Sequence, residues 1–207
     1  RGQQGTGRGN AATHSQSLES LFMHIPGLKV VCPSTPADAA GLLRTAIRDD
    51  NPVCFFEHKV LYATKGEVPD DPDFCIPFGK ADIKREGTDV TIVANLLYVK
   101  RALEAADELA KEGISAEVID PRTLVPFDYD TVAESVKKTG RLVIVTDACE
   151  RGSFASEVAR QITEMAFDEL DAPPVVVASR NWITPAHELE ESFFPQPSWI
   201  LDAIDAK

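Results

Sequence analysis

Few residues in this chain have both the type and the setting to do chemistry. His14 comes first. An imidazole with an unperturbed pKa of about 6.5 can give or take a proton near neutral pH. His14 stands beside Ser15 and Gln16, just after a leader that holds four glycines. Adjacency to a serine does not make a nucleophile and base, because such pairs are set in space and not along the chain. On residue types alone a capping or packing role is the commoner one. His24 and His58 read as structural, and His187 opens a helix-like segment with no assigned role. A second candidate is Asp147-Ala148-Cys149-Glu150-Arg151-Gly152, between a strand-like and a helix-like run. Open α/β sheets bind ligands at such carboxyl ends, although an ordinary loop with a glycine hinge reads equally well. The leader GQQGTGRG invites comparison with a phosphate loop. It lacks the Gly-Lys-Ser/Thr ending and no strand precedes it, so a flexible loop is expected.

The elements that must position these residues follow from the pattern. Val30, Val31 and Cys32 form a short apolar run, which predicts a buried strand. Thr35 is a candidate N-cap, Pro36 fits the first helical position, and Asp38 puts a carboxylate in the first turn. Ala39, Leu42, Leu43, Ala46 and Ile47 then recur at helical spacing, and Asn51-Pro52 stops the helix. Val53 to Phe56 is a second apolar run, giving a βαβ unit with parallel, buried strands. A short helix is expected from Ser15 to Met23. From Ala63 to Pro77, prolines and acidic residues interrupt the pattern and read as a linker. Beyond it, Lys80 to Arg85 and Asp89 to Ala94, joined by Gly87-Thr88, read as an antiparallel hairpin. Strands at 115–119, 142–145 and 175–178 then alternate with helices, the second of them capped by Asp128, and a closing helix spans Pro197 to Ile204. Such alternation argues an open α/β sheet.

Composition narrows the classes. A chain of 207 residues can bury a sizeable core as one large domain or two small ones. The net charge of −12 argues against nucleic acid, whose phosphates need clustered Lys and Arg. No apolar run approaches the roughly 20 residues that span a bilayer, so no membrane contact is expected. Four cysteines without a Cys-x-x-Cys pair point to a reduced, cytoplasmic chain with neither a disulfide frame nor a zinc site. A nicotinamide or flavin enzyme is disfavoured, since no Gly-x-Gly-x-x-Gly follows a strand.

The blocks HSQSLE, HIPGLKVV, PSTPADAAGLL and AIRDDNPV followed by FFEHK and LY occur in one order between His14 and Tyr62. They resemble the β subunit of thiamine-diphosphate-dependent 2-oxoacid dehydrogenases, the E1 component, with pyruvate and acetoin dehydrogenase most similar. The resemblance weakens toward the C-terminus. DACERGSF departs from the family's glutamate- and glycine-richer version, so no role is carried over there. The resemblance implies part of a pyrimidine-binding domain over residues 1–66, a linker over 67–79 and a transketolase C-terminal-like domain over 80–207. It implies an α2β2 assembly with thiamine diphosphate between an α and a β chain and Mg2+ held by the α chain. A lipoyl-bearing E2 core would receive the acyl unit from pyruvate, another 2-oxoacid or acetoin.

His14 matches the family's active-site histidine, implicated in acyl and proton transfer. Ala46, Asp49 and Asn51 match positions where some β subunits bind K+, partly through main-chain carbonyls. A helix end leaves carbonyls that could ligate such an ion; plain helix termination is the alternative. No glutamate here matches the one that activates the cofactor. A fragment of transketolase or deoxyxylulose-phosphate synthase, or a non-catalytic interaction module, are the other readings. Three further expectations follow. Two lobes should divide within 63–80. The first lobe, with one βαβ unit, should leave apolar surface open near Val31, Val53 and Phe55. The chain alone should be catalytically silent.

Overall fold

The computed structural model describes residues 1–205; the last two residues of the second expected domain, 206 and 207, lie outside the described residues. The chain begins with strand β1 (Gly2–Gln4), the short helices α1 (Ala11–His14) and α2 (Glu19–Met23), strand β2 (Lys29–Val31), helix α3 (Pro36–Arg48) and strand β3 (Val53–His58). A 3₁₀ turn, Lys59–Ala63, follows. Then come β4 (Asp82–Arg85), β5 (Val90–Ala94), α4 (Leu97–Lys111), β6 (Ala116–Asp120), β7 (Thr123–Val125), α5 (Tyr129–Thr139), β8 (Leu142–Cys149) and α6 (Phe154–Met165). Strand β9 (Val175–Ser179) and the helices α7 (Glu190–Phe193) and α8 (Pro197–Asp205) complete the chain.

The predicted βαβ unit forms. β2 and β3 pair in parallel, with Lys29 opposite Val53. Thr35 caps α3 as expected: its hydroxyl accepts from the Asp38 amide at 3.1 Å, while the Asp38 carboxylate accepts from the Thr35 amide at 3.2 Å. Two amides that the helix leaves without partners are thereby satisfied. The leader departs from its expectation. Gly2–Gln4 is not a loop but a strand parallel to β3, with Gly2 opposite Phe56. Backbone pairing needs no apolar period, so sequence pattern gave no sign of it.

The second sheet has the order β4-β6-β5-β8-β9. Its inner strands are parallel and β4 is an antiparallel edge. The expected hairpin of β4 with β5 is not formed. Both edges of β5 are taken by β6 and β8, so β4 pairs with the free edge of β6, Asp82 opposite Asp120. Helices α4 and α8 cover one face through Tyr98, Ala102, Leu109, Ile200 and Ile204. Helices α5 and α6 cover the other, and their core runs on into Val30, Cys32 and Phe56 of the first sheet.

The first sheet has the order β1-β3-β2-β7. Its last strand comes from beyond the linker: β7 pairs antiparallel with β2, Val30 opposite Val125. The expected open apolar surface at Val31, Val53 and Phe55 is absent. Val31 and Phe55 are buried with Leu42 and Ile76, and Val53, Phe74 and Phe78 pack against them. The stretch read as a bare linker supplies that cover. Phe74, Ile76 and Phe78 alternate inward while Asp73, Cys75 and Pro77 face solvent, which is strand-like spacing used without a strand partner.

Candidate functional site

His14 ends α1 and is exposed, while the next residue, Ser15, is buried. The loop around it is tied at many points. The Ser15 amide donates to the Ala11 carbonyl at 3.0 Å, and the Asn10 amide donates to the Ser15 hydroxyl at 3.2 Å. Gly5 N–H donates to the Gln16 carbonyl at 3.3 Å, and the Gln16 side chain donates to the Ala12 carbonyl at 2.7 Å. Lys59 Nζ donates to the His14 carbonyl. Burial pushes the Lys59 ammonium down from its ordinary value, although the charges of Glu190 and Asp147 pull it back. His14 therefore projects from a backbone held on several sides.

The loop forms a ridge between two cavities. One, of about 320 Å³, is lined by Gln3, Asn10, His14, Gln16 and Lys59. The other, of about 450 Å³, is lined by Ser17, Asp147, Cys149, Asn181 and Trp182 among others. Gln16 and Leu18 line both. The polar lining on the His14 side suits a charged or hydrogen-bonding ligand more than an apolar one.

Behind the ridge lies a buried polar cluster. In the second sheet the chain turns from β5 to β6 on one side and then crosses back to β8 on the other. That reversal creates a crevice at the carboxyl ends of β5 and β8, where open α/β sheets bind ligands. Asn95 follows β5 and Asp147 lies near the end of β8. Here the first half of the chain fills the crevice. Glu19, fully buried, accepts from the Gln4 side-chain amide at 2.7 Å and from the Asn95 side-chain amide at 3.3 Å. Burial, reinforced by the charge of Asp147, pushes the Glu19 carboxyl up to about 7. Asp147 accepts from the Thr6 amide at 3.2 Å, the Ser17 hydroxyl at 2.6 Å and His58 Nε2 at 3.0 Å. The Val60 amide donates to His58 Nδ1 at 3.3 Å, which leaves the proton on Nε2 for Asp147. Burial alone would raise the Asp147 carboxyl. The His58 hydrogen bond, with those of Ser17 and Thr6, outweighs it and holds the group below the usual carboxylate range. Glu190 accepts from the amides of Gly7 at 3.2 Å and Gly9 at 3.1 Å, so the leader is fastened by carboxylates of the second half.

Ala46, Asp49 and Asn51 lie elsewhere, at the end of α3. Asp49 Oδ1 accepts from the Asn51 amide at 2.8 Å and its side-chain N–H at 3.0 Å, and Oδ2 accepts from Lys29. The Lys29 and Asn51 bonds hold the Asp49 carboxyl down at about 2. Its side chain is committed, so an ion there would rely on the carbonyls that the last helical turn leaves without partners. Among the described residues, no group of three His, Cys, Asp or Glu stands together to hold a metal.

The structure thus joins residues that the sequence left apart, Asp147 at the head of a candidate loop and His58 as a structural histidine. They are 89 positions apart in the chain, and no spacing rule joins them. Glu19 carried one signal, an acid inside the apolar run Leu18 to Met23.

Comparison with known proteins agrees with this architecture. Residues 1–65 match the family "Transketolase, pyrimidine binding domain" and residues 79–200 match "Transketolase, C-terminal domain". The β subunit of an acetoin:2,6-dichlorophenolindophenol oxidoreductase from Cupriavidus necator is 52% identical over 96% of this chain and 59% of its own length. A pyruvate dehydrogenase E1 component β subunit from Rhizobium meliloti is 46% identical over 100% of this chain and 45% of its own. A 2-oxoisovalerate dehydrogenase β subunit from Bacillus subtilis is 52% identical over 82% of this chain and 52% of its own. The chain spans about half the length of these relatives. A solved split-gene transketolase, described as an inactive β4 tetramer, superposes with a TM-score of 0.78 at 27% identity over 94% of this chain and 62% of its own. The chain belongs to the transketolase family, through both its pyrimidine-binding and its C-terminal domain.

Proposed function

We propose that this chain supplies the β side of a thiamine-diphosphate-dependent E1 enzyme acting on pyruvate, another 2-oxoacid or acetoin, with acyl transfer to a lipoyl group on E2. The observation that carries the reading is His14: an exposed imidazole on a backbone tied from several directions, at the rim of a polar cavity. A group that moves protons or acyl units must reach the reacting atoms in a fixed pose. Thiamine diphosphate, when bound against an α subunit, would supply the electron sink for carbon–carbon cleavage. Mg2+ belongs to the α side in this reading. K+ would bind at Ala46, Asp49 and Asn51 through main-chain oxygen. The domain division is read at 1–66, 67–79 and 80–207.

The test is reconstitution. The chain is combined with an α subunit, thiamine diphosphate and Mg2+, and reductive acylation of a lipoyl domain is followed. His14→Ala is expected to slow it by on the order of 10²–10⁴-fold. Unchanged turnover would leave His14 a packing residue. Turnover without any α subunit would overturn the assignment as one side of a shared site.

A further inference from the structure

We propose that Asp147 is a positioning residue for His14, fixing the ridge that carries the imidazole through a set of buried hydrogen bonds from the opposite half of the chain. The inference rests on the reading of His14 as the transfer residue. Asp147 belongs to the second sheet, yet its three hydrogen-bond donors all belong to the first half: Thr6 in the leader, Ser17 on the ridge and His58 at the end of β3. Each comes from a different segment, so one carboxylate fixes three segments relative to one another. Ser17 is the direct link, three residues beyond His14 and bonded at 2.6 Å. The other two donors fix the wall behind the ridge. Gly5 packs so closely there that a Cβ would lie 2.2 Å from His58 Nε2, and its amide holds the Gln16 carbonyl.

The geometry is well suited to positioning and not to catalysis. The Asp147 and His58 side chains are both 0% exposed, and neither residue lines the cavity that His14 lines. Neither oxygen is left without a donor. A buried carboxylate held by several donors has one low-energy pose, and the groups it holds share that restriction.

The experiment compares two assays of the chain reconstituted with an α subunit, thiamine diphosphate and Mg2+. Reduction of 2,6-dichlorophenolindophenol reads substrate cleavage without transfer to lipoyl; lipoyl acylation reads the transfer as well. Asp147→Ala is expected to slow lipoyl acylation by about 10²-fold, the effect of a displacement near 1 Å, with dye reduction and substrate KM close to wild type. Asp147→Asn should recover most of the loss, since its carbonyl can accept from Thr6 and His58 while its side-chain N–H donates to the Ser17 hydroxyl. Ser17→Ala cuts only the link to the ridge and should slow acylation by about fivefold. It removes one hydroxyl from a half-buried site, so it tests the link even if Asp147→Ala does not fold. Either substitution made on top of His14→Ala should add nothing further, because a residue that acts through His14 has no effect once the imidazole is gone. Losses that multiply with His14→Ala, or that fall equally on both assays, would overturn the positioning role alone. A His14→Ala enzyme with unchanged acylation would overturn the reading of His14 and this inference with it.

Discussion

The two halves of the chain meet at two polar clusters built on opposite plans. Behind the His14 ridge, Glu19, Asp147 and Glu190 are buried against neutral donors: side-chain amides, a hydroxyl, an imidazole and backbone N–H groups. Among the described residues no Lys or Arg pairs with any of the three. At the start of α3, Asp38 and Asp120 are buried around cations. Lys84 lies 3.3 Å from Asp38 and 3.8 Å from Asp120, and Arg122 lies 3.7 Å from Asp38. The Ser34 hydroxyl lies within hydrogen-bond distance of both carboxylates. A cation neutralises charge but holds geometry loosely, whereas several directional donors hold geometry without neutralising the charge. The directional arrangement stands beside His14, the proposed transfer residue. The cationic one ties strands and a helix cap where no exposed candidate residue depends on it.

The sharpest way to break the comparison is to remove one carboxylate from the directional cluster. Asp147→Ala should cost about 3–5 kcal/mol in chemical unfolding, because Thr6, Ser17 and His58 would lose their shared acceptor in a buried site. A loss below about 1 kcal/mol would mean that water replaces the carboxylate.

pH comes next. Glu19 and Asp120 are both raised by burial, from ordinary values of 4.5 and 3.8 to about 7. In that window the folded chain binds more protons than the unfolded one, so stability falls as pH rises and levels off above about 7. Asp147 works in the opposite sense: its lowered value adds stability above the ordinary carboxylate range, lost as pH falls through its folded value. Unfolding free energy should therefore peak at mildly acidic pH and drop toward neutrality by on the order of 3 kcal/mol per raised carboxyl. Glu19→Gln and Asp120→Asn should each flatten the descent. A flat profile in the parent chain would refute it.

Lys84→Met sharpens the contrast. It removes the cation shared by Asp38, Asp82 and Asp120 and should cost about 2 kcal/mol near neutral pH. The loss should shrink in acid, once Asp120 is protonated; a loss independent of pH would show that Lys84 acts through packing. The smallest effect is expected from Thr35→Ala, about 1 kcal/mol for the lost cap. It should leave reconstituted turnover unchanged, since Thr35 sits at the cationic cluster and not at the ridge.

Regular alternation made the second sheet legible, and helix chemistry made the caps at Thr35 and Asp128 legible. What escaped was pairing that carries no side-chain period. β1 is a strand by backbone bonding alone. β7 is three residues between Pro121 and Pro126, too short for a pattern. The β4 partner was misjudged because a local turn signal at Gly87-Thr88 says nothing about which edge is free. At the site, resemblance singled out His14 directly. Asp147 and His58 could not be joined from sequence, since their meeting depends on how two sheets are set against each other.

β7 has a consequence in time. The first sheet cannot be closed by the residues that begin it; its β2 edge waits for a strand that ends at Val125. During synthesis at about 5–20 residues per second, the interval between Val31 and Val125 lasts on the order of ten seconds. For that period an apolar strand presents open backbone groups to its surroundings, the condition under which chains pair with the wrong neighbour. Until β7 emerges β2 is an open edge, and a pause in translation before residue 125 would lengthen that exposure.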